Sequence, residues 1–353
     1  MTYPRVLIDK KKVVHNVKTI VNMANEQGIQ IAGVTKGFCA YEKIVSAFVE
    51  GGVKYLVDSR MENLKKIQKF NIPKILSRLP MISEVNDVIK YADISLNSEI
   101  DTIKALSEAA LKFNKTHKII IMVDLGDLRE GYFVEEDVYD AIEEIIKLDG
   151  IEIAGIGANF TCYGGLIPTE ELLNKLVTIS KKVEQNFGIK VDIISGGNSS
   201  SLYLLQDKKL EGINNLRLGE SLICGREAAF EKQMPNTYSD AFKLEVEIIE
   251  IKDKPSVPVG NIGLDAFGNV PTFVDRGIRR KILCAIGKQD IDFDTIYPLD
   301  KDLIILGGSS DHLILDGSDS KIDYKVGDII KFDMYYVSIL RAMTSEYVEK
   351  IIL

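Results

Sequence analysis

Short apolar runs separated by stretches of helical periodicity recur eight times in the first two-thirds of this chain. The runs are residues 30–36, 55–58, 75–78, 94–96, 118–124, 153–160, 191–195 and 215–218. Runs this short and this apolar read as strands buried on both faces. Between them, apolar side chains repeat at helical spacing, as in Val134, Val138, Ala141, Ile142, Ile145 and Ile146. Eight strand–helix steps within residues 10–230 predict an α/β fold, a (β/α)8 TIM barrel. A doubly wound sheet is the other arrangement of such steps, but no G-x-G-x-x-G follows the first strand. A helix precedes that strand, with Val13, Val14, Val17, Ile20, Val21 and Ala24 on one face. Residues 5–9 read as a strand outside the barrel series.

After about Phe230 the helical periodicity fades. Strands are expected at residues 242–251, 282–286, 303–306, 312–315 and 329–332, with Pro255, Gly260, Gly268 and Asp316-Gly317 at turns. Residues 231–353 therefore read as a separate antiparallel β domain.

Charge and composition narrow the function. With 44 basic and 52 acidic residues the net charge is −8, the two signs are mixed along the chain, and no basic stripe points to nucleic acid. No apolar run approaches the roughly 18 residues of a membrane span, and the first residues lack the pattern of a secretory leader. Cys39, Cys162, Cys224 and Cys284 are far apart without zinc-ligand spacing. A reducing cytoplasm fits them. His15 and His117 read as structural.

Four stretches carry chemistry. The first strand closes as Ile31-Ala-Gly-Val-Thr-Lys36. A lysine at the end of a buried strand is poised to lose water, which lowers the pKa of an amine and suits a Schiff-base lysine. The plain alternative is a lysine that emerges into solvent. After the seventh strand comes Ser195-Gly-Gly-Asn-Ser-Ser-Ser201, whose glycines allow close backbone approach and whose serines offer donors to an anion; barrels often bind phosphate there. A helix-capping turn is the alternative. Arg217 falls on the eighth strand and needs an acceptor, because an unpaired buried charge is costly; that acceptor is a ligand nitrogen or a structural carboxylate such as Glu220. Arg129, in Asp124-Leu-Gly-Asp-Leu-Arg-Glu-Gly131, could clamp a carboxylate or sit in a solvated loop.

Taken in order, the strand-end lysine, Asp-x-Gly-x-x-Arg-x-Gly, Gly-Asn-Ser-Ser and Leu-Arg-x-Gly resemble the alanine racemase family of pyridoxal phosphate enzymes. The resemblance covers essentially the whole chain. Residues 122–133 and 195–201 look closest to the ornithine racemase branch, as do Ala266-Phe-Gly-Asn269 and Ser309-Ser-Asp-His312. It implies that the N-terminal strand, residues 1–9, joins the C-terminal β domain. It implies a homodimer with shared sites and pyridoxal 5'-phosphate as cofactor. Lys36 would hold the cofactor and act as one of two proton-transfer groups. Asn198 and Ser199 would sit at the phosphate, with Gly219, the backbone of Glu220 and Ser221, and Tyr347. Arg217 would face the pyridine nitrogen; a guanidinium gives up no proton readily, so the ring would stay a weaker electron sink, suited to proton removal and return at Cα. Arg129 would lie near the ring hydroxyl and the substrate carboxylate.

The departures from the family are as informative. Asn159 stands where alanine racemases carry a histidine near the ring. Racemisation needs an acid/base on each face of Cα, and the stretch that supplies a tyrosine in the family has Phe267 instead. Asp265 is the nearest titratable group there, ahead of Tyr335, Tyr336 and Tyr347, and could equally be a turn residue. Tyr41 lies one position later than the family's tyrosine. From the partner copy's β domain, Ser310 and Asp311 would border the substrate, where Asp311 could pair with the distal ammonium of ornithine or lysine, or merely serve the arginine of the substrate carboxylate or a turn. Asp58, Arg60 and Arg78 sit at strand ends and could form an ion network that is structural or supports the site from behind. The expected activity is ornithine racemisation; the alternatives are a racemase for lysine, alanine or another amino acid, or a fold-related decarboxylase, against which Arg217 argues.

Overall fold

The computed structural model describes residues 2–207, 210–265 and 267–353, and the chain divides into two compact units. One is Lys10–Ser239; the other joins the first strand, β1 (Arg5–Ile8), to Asp240–Leu353.

In the first unit, β2 (Gln30–Val34), β3 (Tyr55–Asp58), β4 (Lys74–Leu76), β5 (Ile94–Asn97), β6 (His117–Met122), β7 (Ile151–Ala158), β8 (Ile193–Gly196) and β9 (Asn215–Leu218) pair in parallel with their neighbours and close as a barrel. Closure sets Ala32 of β2 opposite Arg217 of β9. Ala32, Val34, Val57, Ile75, Ile94, Leu96, Ile120 and Met122 form one apolar cluster, as period-two alternation with both faces covered requires. The outer helices bury single stripes. In Glu170–Phe187 these are Leu173, Leu176, Val177, Ile179 and Val183; Thr169 Oγ1 accepts from Leu172 N at its start, and Gly188 at φ +66° ends it.

The sequence pattern changes near residue 230, yet the structural boundary falls after Ser239. Residues 236–238 are tied to the first helix, Lys10–Asn25: Asn16 Nδ2 donates to Tyr238 O at 2.8 Å and Tyr238 N donates to Asn16 Oδ1 at 2.7 Å. His15 Nε2 lies 2.8 Å from Asn236 O. Hydrogen bonds, not periodicity, hold this tail to the barrel unit.

The second unit is a sheet built on the long strand β10 (Phe242–Pro255), with β11 (Ile278–Cys284), β12 (Ile296–Pro298), β13 (Ile304–Gly308), β14 (Leu313–Asp316), β15 (Ile329–Met334) and β16 (Glu349–Ile352). Its order is β12-β15-β10-β11-β14-β13, and β1 runs antiparallel to β10 and parallel to β16. Phe242, Leu244, Val246 and Ile248 alternate into the core. On the same strand the buried carboxylate of Glu245 takes Arg5 Nε at 2.7 Å and Lys331 Nζ at 2.9 Å, and both cations stand directly across the ladder from it. Cross-strand pairing of this kind fixes register.

Candidate active site

Lys36 opens a one-turn 3-10 helix, Lys36–Phe38, beyond the last residue of β2. The apolar run suggested a lysine stripped of water, but the side chain is exposed in this chain. The reason is local: the ladder ends at Val34, Thr35 is fully buried, and Lys36 leaves the strand at the barrel rim. Thr35 is held from two sides, its N–H on Val57 O at 2.7 Å and its Oγ1 on Asp58 Oδ2 at 2.6 Å. Asp58 also accepts from Arg60 N and Asn63 Nδ2, and its burial raises its pKa. It is thus a hydrogen-bond hub. Arg78 makes its ion pair with Glu84, so the Asp58–Arg60–Arg78 ion network does not form.

Arg217 is buried inside the barrel wall. Its Nη1 donates to Ser195 Oγ at 2.5 Å and its Nη2 to Ala158 O at 2.8 Å. Ser195 Oγ in turn donates to Asn215 Oδ1 at 2.6 Å. No carboxylate lies within ion-pair distance of it among the described residues, and burial lowers its pKa to about 10. Glu220 is not its partner. That carboxyl sits in the first turn of the helix Glu220–Cys224, where burial pushes its pKa up to about 6. The sequence does not link Ser195 to Arg217, although period-two spacing puts Asn215 on the same face of β9 as Arg217.

The turn after β8 gathers hydroxyls. Asn198 caps the short helix Ser199–Ser201, accepting from Ser200 N at 2.8 Å and donating to Phe160 O at 2.7 Å. Ser199 Oγ lies 2.9 Å from Ser221 Oγ and accepts from Ser221 N, two residues past Gly219. The Ser200 hydroxyl is buried with no partner among the described residues.

Between this turn and the β6 loop lies Asn159. One end of its amide is 3.1 Å from Asn198 Nδ2, the other 3.3 Å from Arg129 Nη2. Arg129 is gripped by its neighbour Glu130, which raises its pKa. Asn159 thus lies between the serine turn and Arg129, its Oδ1 accepting from Asn198 Nδ2.

The remaining candidates belong to the second unit. Asp265 Oδ1 accepts from Phe267 N at 2.9 Å and Asn269 N at 2.8 Å, which lowers its pKa. Those bonds give it the turn role that its sequence position also allowed. Ala266, beside it, lies outside the described residues. Ser309–His312 form the turn between β13 and β14; Asp311 Oδ1 accepts from Ser309 Oγ at 2.8 Å and lies 2.9 Å from His312 Nδ1, both of which lower its pKa. Ser310 Oγ is a more distant 3.4 Å from the same oxygen. Tyr347 is an exposed side chain before β16.

Residues 8–227 match the family model described as the alanine racemase N-terminal domain. The chain belongs to the alanine racemase family. It is 51% identical over 349 residues to an ornithine racemase of Acetoanaerobium sticklandii, covering 99% of each chain. It is 43% identical over 354 residues to a lysine racemase of Thermotoga maritima, again with 99% of each covered. Among solved structures it resembles an alanine racemase from Bartonella henselae with covalently bound pyridoxal phosphate, with a TM-score of 0.76, 19% identity and full coverage of both chains. The alanine racemase fold, a closed parallel barrel with an antiparallel sheet unit, is therefore this chain's fold. No helix among the described residues is long and apolar enough to cross a membrane.

Proposed function

We propose that this chain is a pyridoxal-phosphate-dependent amino-acid racemase that interconverts L- and D-ornithine. The carrying observation is the 51% identity, over 99% of both chains, with an ornithine racemase. The 43% identical lysine racemase keeps the substrate class, an amino acid with a distal ammonium, in view.

The donor set fits the cofactor. A phosphate suits the hydroxyls of Ser199 and Ser221 and the partnerless buried hydroxyl of Ser200. A ring nitrogen suits the cation of Arg217, whose protein partners are all neutral acceptors. Asn198, Gly219, the backbone of Glu220 and Ser221, and Tyr347 complete the proposed phosphate contacts. Bound there, pyridoxal phosphate supplies an aldehyde and an electron-withdrawing ring.

Lys36 is the proposed proton carrier on one face of Cα and the amine that holds the cofactor between turnovers. Arg217 acts as a fixed cation: with a pKa near 10 it donates hydrogen bonds at neutral pH without losing its proton. That limits charge build-up in the ring and favours returning the proton to Cα. Arg129 orients the substrate carboxylate, with Asn159 beside it. In the proposed homodimer, Asp311 and Ser310 of the other copy would border the distal ammonium, where a carboxylate held ionised is the matching charge.

The proposal includes a homodimer with sites shared between copies. Val259, Leu264, Val270 and Val274 of the second unit are each at least 70% exposed, apolar side chains that a second copy would cover. Four free cysteines suit a cytoplasmic setting.

The test is chiral chromatography after incubating the cofactor-loaded enzyme with L-ornithine, and in parallel with lysine, alanine and arginine. Ornithine should reach equal amounts of both enantiomers, and Lys36→Ala should abolish both this and the visible absorption band of the holoenzyme. Release of carbon dioxide with no change of handedness assigns a decarboxylase and overturns the reading.

A further inference from the structure

Among the described residues beside the proposed site, Glu130 pairs its carboxylate with the Arg129 guanidinium. Arg129 Nε and Nη2 donate to its two oxygens, one each. The carboxylate is the better buried partner, with its side chain 12% exposed against 37% for the arginine. Burying a carboxylate costs free energy unless it is paired and hydrogen-bonded, and among the described residues Arg129 is its only ion-pair partner. The backbone fixes both residues. Leu128, just before them, has φ +58° and gives its N–H to Asp124 Oδ1 at 3.1 Å. Gly131, just after, has φ +122°, and a side chain there would strike Asp124 N at 2.6 Å.

Two consequences follow. A guanidinium has five N–H groups in a rigid fork. Glu130 occupies the Nε–Nη2 edge, which leaves the other Nη2 N–H and the two Nη1 N–H groups on the opposite edge for a ligand, with the Asn159 amide 3.3 Å from Nη2. Buried Arg217 also feels both groups, attraction from Glu130 and repulsion from Arg129.

We propose that Glu130 is a positioning residue: it locks Arg129 so that one edge alone faces the substrate carboxylate, and it cancels that cation's charge beside Arg217. The role rests on the racemase reading, but its first test does not. Phenylglyoxal adds to the deprotonated guanidinium, and an adjacent carboxylate raises an arginine's pKa by a unit or more. In the full-length Glu130→Gln variant, Arg129 should therefore be labelled about tenfold faster than in the parent, read by peptide mass spectrometry. Glu130→Asp, which keeps the charge, should restore most of the protection and also serves if the glutamine variant folds poorly. With L-ornithine, Glu130→Gln should raise KM about tenfold and change kcat less, as expected when one charge-assisted contact is misplaced. Labelling at the parent rate in Glu130→Gln overturns the proposal. So does faster labelling with KM unchanged. If the parent turns over no ornithine, the racemase reading fails while the labelling result still decides the pairing.

Discussion

Thr35 Oγ1 donates a 2.6 Å hydrogen bond to Asp58 Oδ2, one residue before Lys36. The last residue ahead of the proposed cofactor lysine is thus fastened to the neighbouring strand. Thr35→Val keeps the shape and strands a buried carboxylate oxygen, at a cost of about 1–3 kcal/mol. A lower urea midpoint is expected, together with a drop in kcat that Thr35→Ser reverses. An unchanged midpoint in Thr35→Val would show that the bond stabilises nothing.

His117 is buried with Nε2 2.9 Å from Ser95 Oγ, and burial lowers its pKa to about 4. The unfolded chain binds a proton near pH 6.5, so the folded state binds fewer protons between these values. Stability is full above about pH 6.5 and falls as pH drops toward 4, by on the order of 3 kcal/mol. Denaturation midpoints measured across this range should slope accordingly, and His117→Asn should flatten the slope. Parallel slopes in the two proteins would rule His117 out as their source.

Asp265 holds a turn through two backbone N–H groups. A general base contributes about 100- to 10,000-fold to rate. Asp265→Asn should cost racemisation less than about tenfold, within what a loosened turn explains. A thousandfold loss in kcat with an intact fold would return the second base to this residue.

Gly287 touches the Ser309–His312 turn backbone to backbone. A Cβ there would lie 2.2 Å from Asp311 N and Ser310 O, where nothing can give way cheaply. Gly287→Ala should displace the turn that carries Asp311. The expected readout is a KM for ornithine raised more than that for alanine, which has no distal ammonium. Equal effects on the two substrates would separate the turn from side-chain recognition.

Much of the barrel was legible because strands buried on both faces are apolar without interruption. β9 runs over the residues its pattern predicts, Asn215–Leu218. The first strand was read two residues too long, since Thr35 and Lys36 continue the run but leave the ladder. Burial of a lysine cannot be inferred from its apolar neighbours, because the rim of a barrel is solvated. In the β unit, β12 and β16 went unseen: β12 is three residues ending in Pro298, and β16 is half charged, Glu349-Lys350-Ile351-Ile352. The polar end of β10 went unseen because residues 252–255 alternate charges along an exposed stretch. The helix Tyr336–Thr344 was missed although Ile339, Ala342 and Met343 mark its inner face. In the site, the Arg129–Glu130 grip was adjacent in sequence yet silent, since neighbouring charges in a loop rarely meet.

Because β1 lies between β10 and β16, the sheet unit is assembled from the two ends of the sequence, with the entire barrel spliced into its middle. The earliest strand to be synthesised must therefore wait, unpaired, through more than two hundred residues of barrel before its first partner exists. Order of synthesis thus favours the barrel as the part that matures first, and shortening either tail would unzip the same seam.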